Sequence, residues 1–359
     1  MLSPLLNDAI TRLTNSYATI ESLNNFSQSA TRLVVVKLPD EPNWLPPVRF
    51  EFSELSAAGT GWIDVSPTAA VPLFSTVVNY VPQFLAVANT AKNAGGSLSA
   101  EEWIKLLQTL VGPLQNNLAD LGSAKDKVEQ ALANIAAIMP ALDKSIGAGW
   151  AELGNEEQLA VQLAEALGGL VDKVTSLGAK LDADAVSSGQ SMLKTTVSMM
   201  YSAVSAGVEA SIPVLGIAAA VFSIGKSFYD IIKDNQDLID AMNKINALQA
   251  QLTANAVQIA LTKSTLQTLY KLEAMYLAVD DAIPALIDMW QAELTKVQDA
   301  INALNAHAQP DRYLDLETIQ IAAANWQGLA DYEAKLENAI STLGGVVTIN
   351  IGQSSITPG

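Results

Sequence analysis

One long, nearly uncharged stretch constrains this sequence more than any other feature. Lys194 and Lys226 bracket 31 residues, TTVSMMYSAVSAGVEASIPVLGIAAAVFSIG, whose single charge is Glu209. A helix that spans a bilayer needs ~20 continuous apolar residues, and Glu209 and Pro213 interrupt this stretch near its middle. The sequence therefore predicts two short helices that meet near residues 210–213. The alternative is a tip formed by the apolar half alone.

The residues of this stretch that we expect to enter a membrane are small or apolar. They are Ala203, Val204, Val208, Ile212, Pro213, Val214, Leu215, Gly216, Ile217, Val221, Phe222 and Ile224. The seven Ile, Val, Leu and Phe residues between positions 212 and 224 together favour the bilayer centre by roughly 2–4 kcal/mol. Glu209, Ser211 and Pro213 offset most of this gain, so insertion is expected to be conditional. The alternative interpretation is a helical hairpin buried in an ordinary core.

Apolar residues on both sides of this stretch recur at the spacing of a coiled coil. Those before it are Leu163, Leu167, Leu170, Val174, Leu177 and Leu181, and those after it are Ile231, Leu238, Ile245, Leu252, Ile259 and Leu266. This predicts two antiparallel arms with the apolar stretch at the turn. The second arm is expected to continue to about Ala306 with a kink near Pro284, spanning about 120 Å at ~1.5 Å per residue.

The remaining elements are predicted from periodicity and from breaking residues. Helices are expected over residues 3–31, from a capping box at Ser99 and Glu102 to about Ser145, and over 315–343; short strands over 33–38, 48–52 and 346–351; and a loop over 53–67. The last strand could pair with the first, which would join the two ends of the chain. Residues 65–91 carry no charge but contain three prolines, which favours a kinked bundle helix over a membrane span.

These elements predict an all-α protein with a two-part organisation. The fold is an elongated bundle of about five long helices, with an apolar helical-hairpin head and a few short strands near the termini at the opposite end. Residues 1–194 and 227–359 form one discontinuous helical rod. We call residues 195–226 the head.

The charge of the chain excludes some partners. Its 37 acidic and 20 basic residues give a net charge of −17, which repels nucleic acid and gives no attraction to anionic lipid. The absence of cysteine excludes disulfide and thiolate chemistry. The first residues show no basic region followed by an apolar one, so we expect secretion without a signal peptide. The alternative is that the protein remains inside the cell.

The motifs of catalysis are weak or incomplete, and the sequence predicts no enzyme. Gly225-Lys226-Ser227 matches the end of a phosphate-binding loop, but Ala220 stands at the position of its first glycine. His307 is the single histidine, and its position predicts a solvated residue at a helix end. No pattern of metal ligands or dinucleotide-binding glycines is present, so no cofactor and no metal are expected.

The order of these features resembles a known family, the ClyA-type α-pore-forming toxins, which include the haemolysin BL and Nhe components and the Mak cytotoxins. The first seam, the head, the second repeat and a closing helix with Trp326 and Leu329 follow in the family's order. The short strands near both termini resemble the Mak branch. The resemblance implies a soluble cytolysin that inserts its head into a target membrane and oligomerises, alone or with sister components, without catalytic residues. The alternatives are a non-lytic helical scaffold and an integral membrane protein.

Overall fold

The computed structural model describes most of the 359-residue chain. The described residues are 1–33, 41–95, 97–187, 200–206, 214–224, 232–279, 282–308, 314–341, 345–351 and 355–358.

Helices make up most of the described residues, and the predicted helical-bundle class is confirmed. They are α1 Leu6–Ala30, α2 Leu45–Asn93, α3 Ala100–Ala136, α4 Met139–Trp150, α5 Glu157–Ser187, α6 Gln236–Gln249, α7 Ala254–Val279, α8 Ala282–Asn305 and α9 Leu316–Ser341. One 3₁₀ turn, Gly154–Glu156, precedes α5.

Four strands form one antiparallel sheet in the order β1-β2-β3-β4. They are β1 Met200–Ala206, β2 Val214–Ile224, β3 Gly345–Asn350 and β4 Ser355–Pro358. The first two strands belong to the head and the last two to the C-terminal region. The predicted placement of the terminal strands at the end opposite the head is therefore wrong, because β2 pairs directly with β3.

The chain divides into two compact units. The first unit comprises Met1–Ile20, Pro67–Val128 and Val279–Ile340, and the second comprises Glu21–Ser66, Glu129–Ala278 and Ser341–Gly359.

An aromatic cluster forms the centre of the first unit. The rings of Trp290 and Trp326 stack with centroids 5.3 Å apart, and Tyr80 meets both edge-on at 5.4 and 4.8 Å. All three side chains are fully buried. The N-terminal residues are tied to this core, because the Trp326 indole donates to the Leu2 carbonyl at 2.9 Å. Aromatic packing of this kind contributes roughly 0.5–1.5 kcal/mol per pair beyond the burial of area.

Most residues of the two predicted seams whose side chains the structure describes are buried in the second unit. Leu163, Leu167, Leu170 and Val174 are buried on α5, as are Leu238 and Ile245 on α6 and Ile259 and Leu266 on α7. Helix α5 packs against α6. Two side-chain contacts show the direction of α7 relative to α5. Glu156, just before α5, accepts from Thr253, just before α7, and Asp172 on α5 pairs with Lys271 on α7. Since both residue numbers rise together, α7 runs parallel to α5.

The prediction of one helix from residue 226 to residue 306 is wrong. Helix α6 ends at Gln249, and α7 begins only at Ala254. A distant residue fixes the break: the Glu156 carboxylate accepts from both the backbone nitrogen and the hydroxyl of Thr253, at 2.6 and 2.8 Å. The Thr253 hydroxyl in turn accepts from the Ala256 nitrogen, as helix-starting residues do.

The predicted strand over 48–52 and the predicted loop over 53–67 are also wrong, because α2 covers both. Proline is tolerated in the first turn of a helix, where its missing N–H costs nothing, so Pro46 and Pro47 begin α2 rather than break it. Buried residues then follow at helical spacing, namely Leu45, Val48, Phe52, Leu55 and Trp62. Periodic burial thus outweighs the β-branched character of residues 48–52.

Helix α3 begins as predicted. The Glu102 carboxylate accepts from the Ser99 nitrogen at 2.8 Å, and the Ser99 hydroxyl accepts from the Glu102 nitrogen at 3.3 Å, which completes the capping box. The expected continuation to Ser145 is interrupted after Ala136, and Pro140 lies in the first turn of α4 instead of bending a longer helix. Most of the predicted strand over 33–38 lies outside the described residues.

Candidate membrane-inserting head

The described part of the head is a β-hairpin, not the helical hairpin that the sequence predicts. β1 pairs antiparallel with β2, from Met200 opposite Val221 to Ala206 opposite Val214, with an irregularity between Ser202 and Ala203. Of the candidate inserting residues, Ala203 lies opposite Ile217 and Val204 lies opposite Gly216. Val208, Ile212 and Pro213 lie outside the described residues.

The composition of β2 explains why a strand is accessible to it. Its sequence VLGIAAAVFSI combines three alanines, which favour a helix, with β-branched and aromatic residues, which favour a strand. Gly216 costs a helix interior about 1 kcal/mol relative to alanine. These local preferences nearly balance, so the pairing partners of the segment decide its conformation.

The decisive partner is β3, more than a hundred residues further along the chain. Five register pairs join the strands, from Ala220 opposite Ile349 to Ile224 opposite Gly345. β2 is therefore a central strand with a neighbour on each side, and Val221, Phe222 and Ile224 of the candidate set all lie in the part that pairs with β3. A strand at Gly345–Asn350 lies where the VVTINI pattern predicts one, but its partner in the head was not predicted.

The C-terminal strands are themselves anchored in the second unit. Ile349 and Ile351 are fully buried, and Ile356 is nearly so. The Asn246 amide on α6 donates to the Ile351 carbonyl at 2.7 Å, and α6 also contacts β2. The head is thus held between an arm helix and a C-terminal β-hairpin whose own pairs include Thr348 with Thr357.

The other motifs considered in the sequence are a metal site, His307 and a phosphate-binding loop. Among the described residues, no group of three or more His, Cys, Asp and Glu side chains is placed to hold a metal ion. His307 is exposed just beyond the end of α8, with a left-handed φ of 56° typical of the residue that follows a helix. Its predicted role as a solvated helix-terminal residue is confirmed. The phosphate-loop-like Gly225-Lys226-Ser227 lies outside the described residues.

Outside the head, one helix has the length and composition of a membrane span. Within the described residues, α2 alone is long and apolar enough to cross a bilayer, and 39% of its most apolar 18-residue window is buried in the protein. Its inner face carries Tyr80 and Phe84 into the aromatic cluster of the first unit. The predicted kinked bundle helix is consistent with this placement, with Pro67, Pro72 and Pro82 inside the helix.

The fold of this chain is similar to that of several solved structures. Motility Associated Killing Factor B from Vibrio cholerae superposes with a TM-score of 0.81 and 30% sequence identity, covering 100% of both chains. Soluble AhlB, of a tripartite α-pore-forming toxin from Aeromonas hydrophila, superposes with a TM-score of 0.63 at 10% identity, over 93% of this chain and 94% of AhlB. The SmhB pore from Serratia marcescens gives 0.55 at 10% identity, over 92% and 99%.

No protein-family model matches the chain, and no curated protein matches its sequence. The full-length match at 30% identity nevertheless places it: the chain belongs to the ClyA-type family of α-pore-forming toxins. The cytotoxin MakB from Vibrio cholerae is likewise 30% identical over 94% of both chains, with a TM-score of 0.77, which places the chain in the Mak branch.

Proposed function

We propose that this protein is a secreted component of a pore-forming toxin, soluble at first, whose head inserts into the lipid of a target-cell membrane and whose copies then oligomerise. The observation that carries the proposal is the apolar hairpin, held in the soluble form by pairing with β3. The full-length relationship to the cytotoxin MakB supports it. The tripartite toxins that share the fold support the participation of sister components. No catalytic step is part of the proposal.

The head cannot enter lipid as part of the present sheet. An open sheet presents unpaired backbone N–H and C=O groups at its edges, and the bilayer core offers no water to satisfy them. Only helices and closed barrels meet that requirement. β2 must therefore separate from β3 and adopt a new backbone arrangement before it inserts.

The energies make this separation conditional. Five register pairs join β2 to β3, and each hydrogen bond between them contributes a net ~0.5–1.5 kcal/mol. The apolar residues between positions 212 and 224 gain roughly 2–4 kcal/mol at the bilayer centre. Glu209, Ser211 and Pro213 offset most of that gain, so insertion of one head does not by itself replace the pairing with β3. The soluble form therefore persists in water, and contact with neighbouring subunits at the membrane supplies the remaining free energy.

Charge substitution in the head tests the proposal. Ile217→Asp places a carboxylate in the predicted inserting segment, and Ile321→Asp, at a half-exposed position on α9, is the matched control. Liposome flotation and dye leakage should fall to background for Ile217→Asp, because Asp at a helix centre costs ~2.5–3.5 kcal/mol on the insertion scale. The control should behave as the wild type.

Equal flotation of both variants would overturn the assignment of the head. Circular dichroism and thermal melting check that each variant folds. Hydrogen exchange over residues 214–224, with and without liposomes, separates the proposal from a non-lytic scaffold. The proposal expects protection to change on lipid, whereas a scaffold with a permanent central strand would keep it unchanged.

A further inference from the structure

Helix α2 carries two seams on opposite faces along its part in the first unit. The inner seam is buried and includes Leu73, Tyr80 and Phe84. The opposite face carries a second set of residues with alternating spacings of three and four, the spacing of a coiled-coil contact. We call this set the outer seam: Thr68, Val71, Ser75, Val78, Pro82, Leu85 and Asn89. None of its members is buried, and Val71 and Val78 are 59% and 52% exposed.

The outer seam is electrically neutral in a strongly acidic protein. Residues 65–91 contain no charged side chain, while the whole chain carries −17. Copies of such a chain repel one another, and the repulsion is weakest where the approaching helices carry no charge of their own. Asp120 lies in the cleft beside the seam, and the positive charge of Lys127, which donates to the Thr68 carbonyl, opposes it. Charge therefore favours the outer seam as the place where a second copy can lie against the first.

The neighbouring polar groups favour a protein partner over lipid. A cleft of about 490 Å³ beside the seam is lined by Asn79, Gln83, Asn116 and Asp120. Asn117, at its floor, is buried and fixed by donation to the Thr76 carbonyl at 2.9 Å. Amide groups both donate and accept hydrogen bonds, which suits the polar positions of a partner helix. In hydrocarbon the same groups would be costly.

We infer that the outer seam is the surface through which one copy of this chain contacts the next in the membrane-bound oligomer, an inference that rests on the proposed function. A contact along one helix seam of about three heptads buries less area than the ~1,200–2,000 Å² of a standard stable interface. Copies therefore stay apart in solution. Confinement to a membrane raises their effective concentration, and the weak contact then suffices.

Site-specific photo-crosslinking tests which molecule covers the seam. The chain has no cysteine, so Val78→Cys can be labelled uniquely with benzophenone maleimide. Ile321→Cys on α9, 48% exposed and off the seam, is the matched control. On phosphatidylcholine–cholesterol vesicles, the probe at position 78 should produce covalent dimers of this chain at least several-fold more than in solution, and the probe at position 321 should not.

Other products would contradict the inference. Crosslinks from position 78 to lipid alone would assign the seam to the bilayer, and crosslinks to an added sister component alone would assign it to that protein. Equal dimer yields from positions 78 and 321 would mean that the seam is not a specific contact. No dimers on vesicles that bind the protein would also overturn it.

A charge substitution gives a second, independent readout. The double variant Val71→Glu/Val78→Glu adds acidic groups to exposed positions, which adds repulsion between copies without disturbing the core. We expect oligomers per bound protein to fall roughly ten-fold or more, the equivalent of a small change in contact free energy, while vesicle binding stays unchanged. Ile321→Glu is the control. Failure of the wild type to bind vesicles would overturn the proposed function. Normal oligomerisation of the double variant would overturn only the assignment of the outer seam as the contact between copies.

Discussion

The aromatic core of the first unit and the sheet that holds the head are stabilised by different kinds of contact. In the core, Tyr80, Trp290 and Trp326 interlock as buried rings whose shapes admit few substitutes. In the sheet, β2 is joined to β3 by backbone pairing, which depends little on which side chains take part. The comparison teaches that a protein can combine a permanent region with a region that exchanges partners. Backbone groups released from β3 can form equivalent hydrogen bonds elsewhere, whereas displaced indole rings cannot recover their contacts.

The largest expected effect comes from opening the core. Trp326→Ala removes a fully buried ring that stacks on Trp290 and donates to the Leu2 carbonyl, so the free energy of unfolding should fall by ~3–5 kcal/mol. Urea denaturation measures it. Trp150→Ala, at a partly exposed position on α4, should cost much less. Equal losses would show that the cluster is not the principal core of the first unit.

Close packing outside the aromatic cluster can be tested with a matched pair of glycines on α4. A Cβ at position 149 would lie 2.7 Å from the Trp44 ring, whereas a Cβ at position 147 would meet nothing within 4 Å. Gly149→Ala should therefore destabilise by ~1–3 kcal/mol through overpacking, despite the helix propensity of alanine. Gly147→Ala should stabilise by up to ~1 kcal/mol. The same sign for both variants in thermal melts would refute the close contact.

A smaller effect is expected at the start of the arm helix that contacts the head. The Asn235 side chain accepts from the Leu238 nitrogen at 3.1 Å and caps α6. Asn235→Ala should cost ~1 kcal/mol. Asp234→Ala, at the exposed position before the cap, should cost less. Hydrogen exchange of the first turn of α6 is the most direct readout, and unchanged protection in Asn235→Ala would rule out the cap as a stabilising feature.

The smallest expected effect is on the pH dependence of stability, and it comes from Glu293 beside the aromatic core. Glu293 is 2% exposed, and burial raises its pKa despite the ion pair with Lys296. The folded state therefore holds this proton more tightly than the unfolded state, so stability should rise as pH falls from neutral toward the ordinary pKa of glutamate. Glu293→Gln removes this dependence. As pH falls from 7 to 5, the urea midpoint of the wild type should rise relative to that of Glu293→Gln. A difference that stays constant over this range would contradict the raised pKa of Glu293.

The helices and the sheet also differ in how well the sequence predicts them. The seam of Leu163, Leu167 and Leu170 is buried as its periodicity indicates, because a helix repeats its own faces without help from distant residues. The capping box at Ser99 and Glu102 is equally local. The order of these elements was enough to suggest the family, which the full-length match then established.

What could not be predicted depends on residues far apart in the chain. The head segment has nearly balanced local preferences, and its strand conformation follows from β3, which lies about 120 residues later. The break before α7 depends on Glu156, which precedes Thr253 by 97 residues. The start of α2 has another cause: Pro46 and Pro47 lie in the first turn of the helix, where proline is tolerated, although the same residues further along would break it. The membrane-inserting role of Ala203 to Ile224 stays a prediction.

A reversible crosslink between β2 and β3 tests the central claim that the head must leave β3 before it inserts. Val221 and Thr348 are register partners in an antiparallel pair, whose ~4.5–5.5 Å Cα separation suits a disulfide. The chain has no other cysteine to interfere. Thr348→Cys/Thr357→Cys is the matched control, because it shares one cysteine but joins β3 to β4 and leaves the head free.

The measurement is membrane insertion and leakage of the oxidised proteins on liposomes, before and after reduction. The oxidised Val221→Cys/Thr348→Cys protein should fail to insert, reduction should restore insertion to the wild-type level, and the oxidised control should insert throughout. Insertion of the oxidised Val221→Cys/Thr348→Cys protein at the wild-type rate would contradict the account, since the head would then enter the membrane with its pairing to β3 intact.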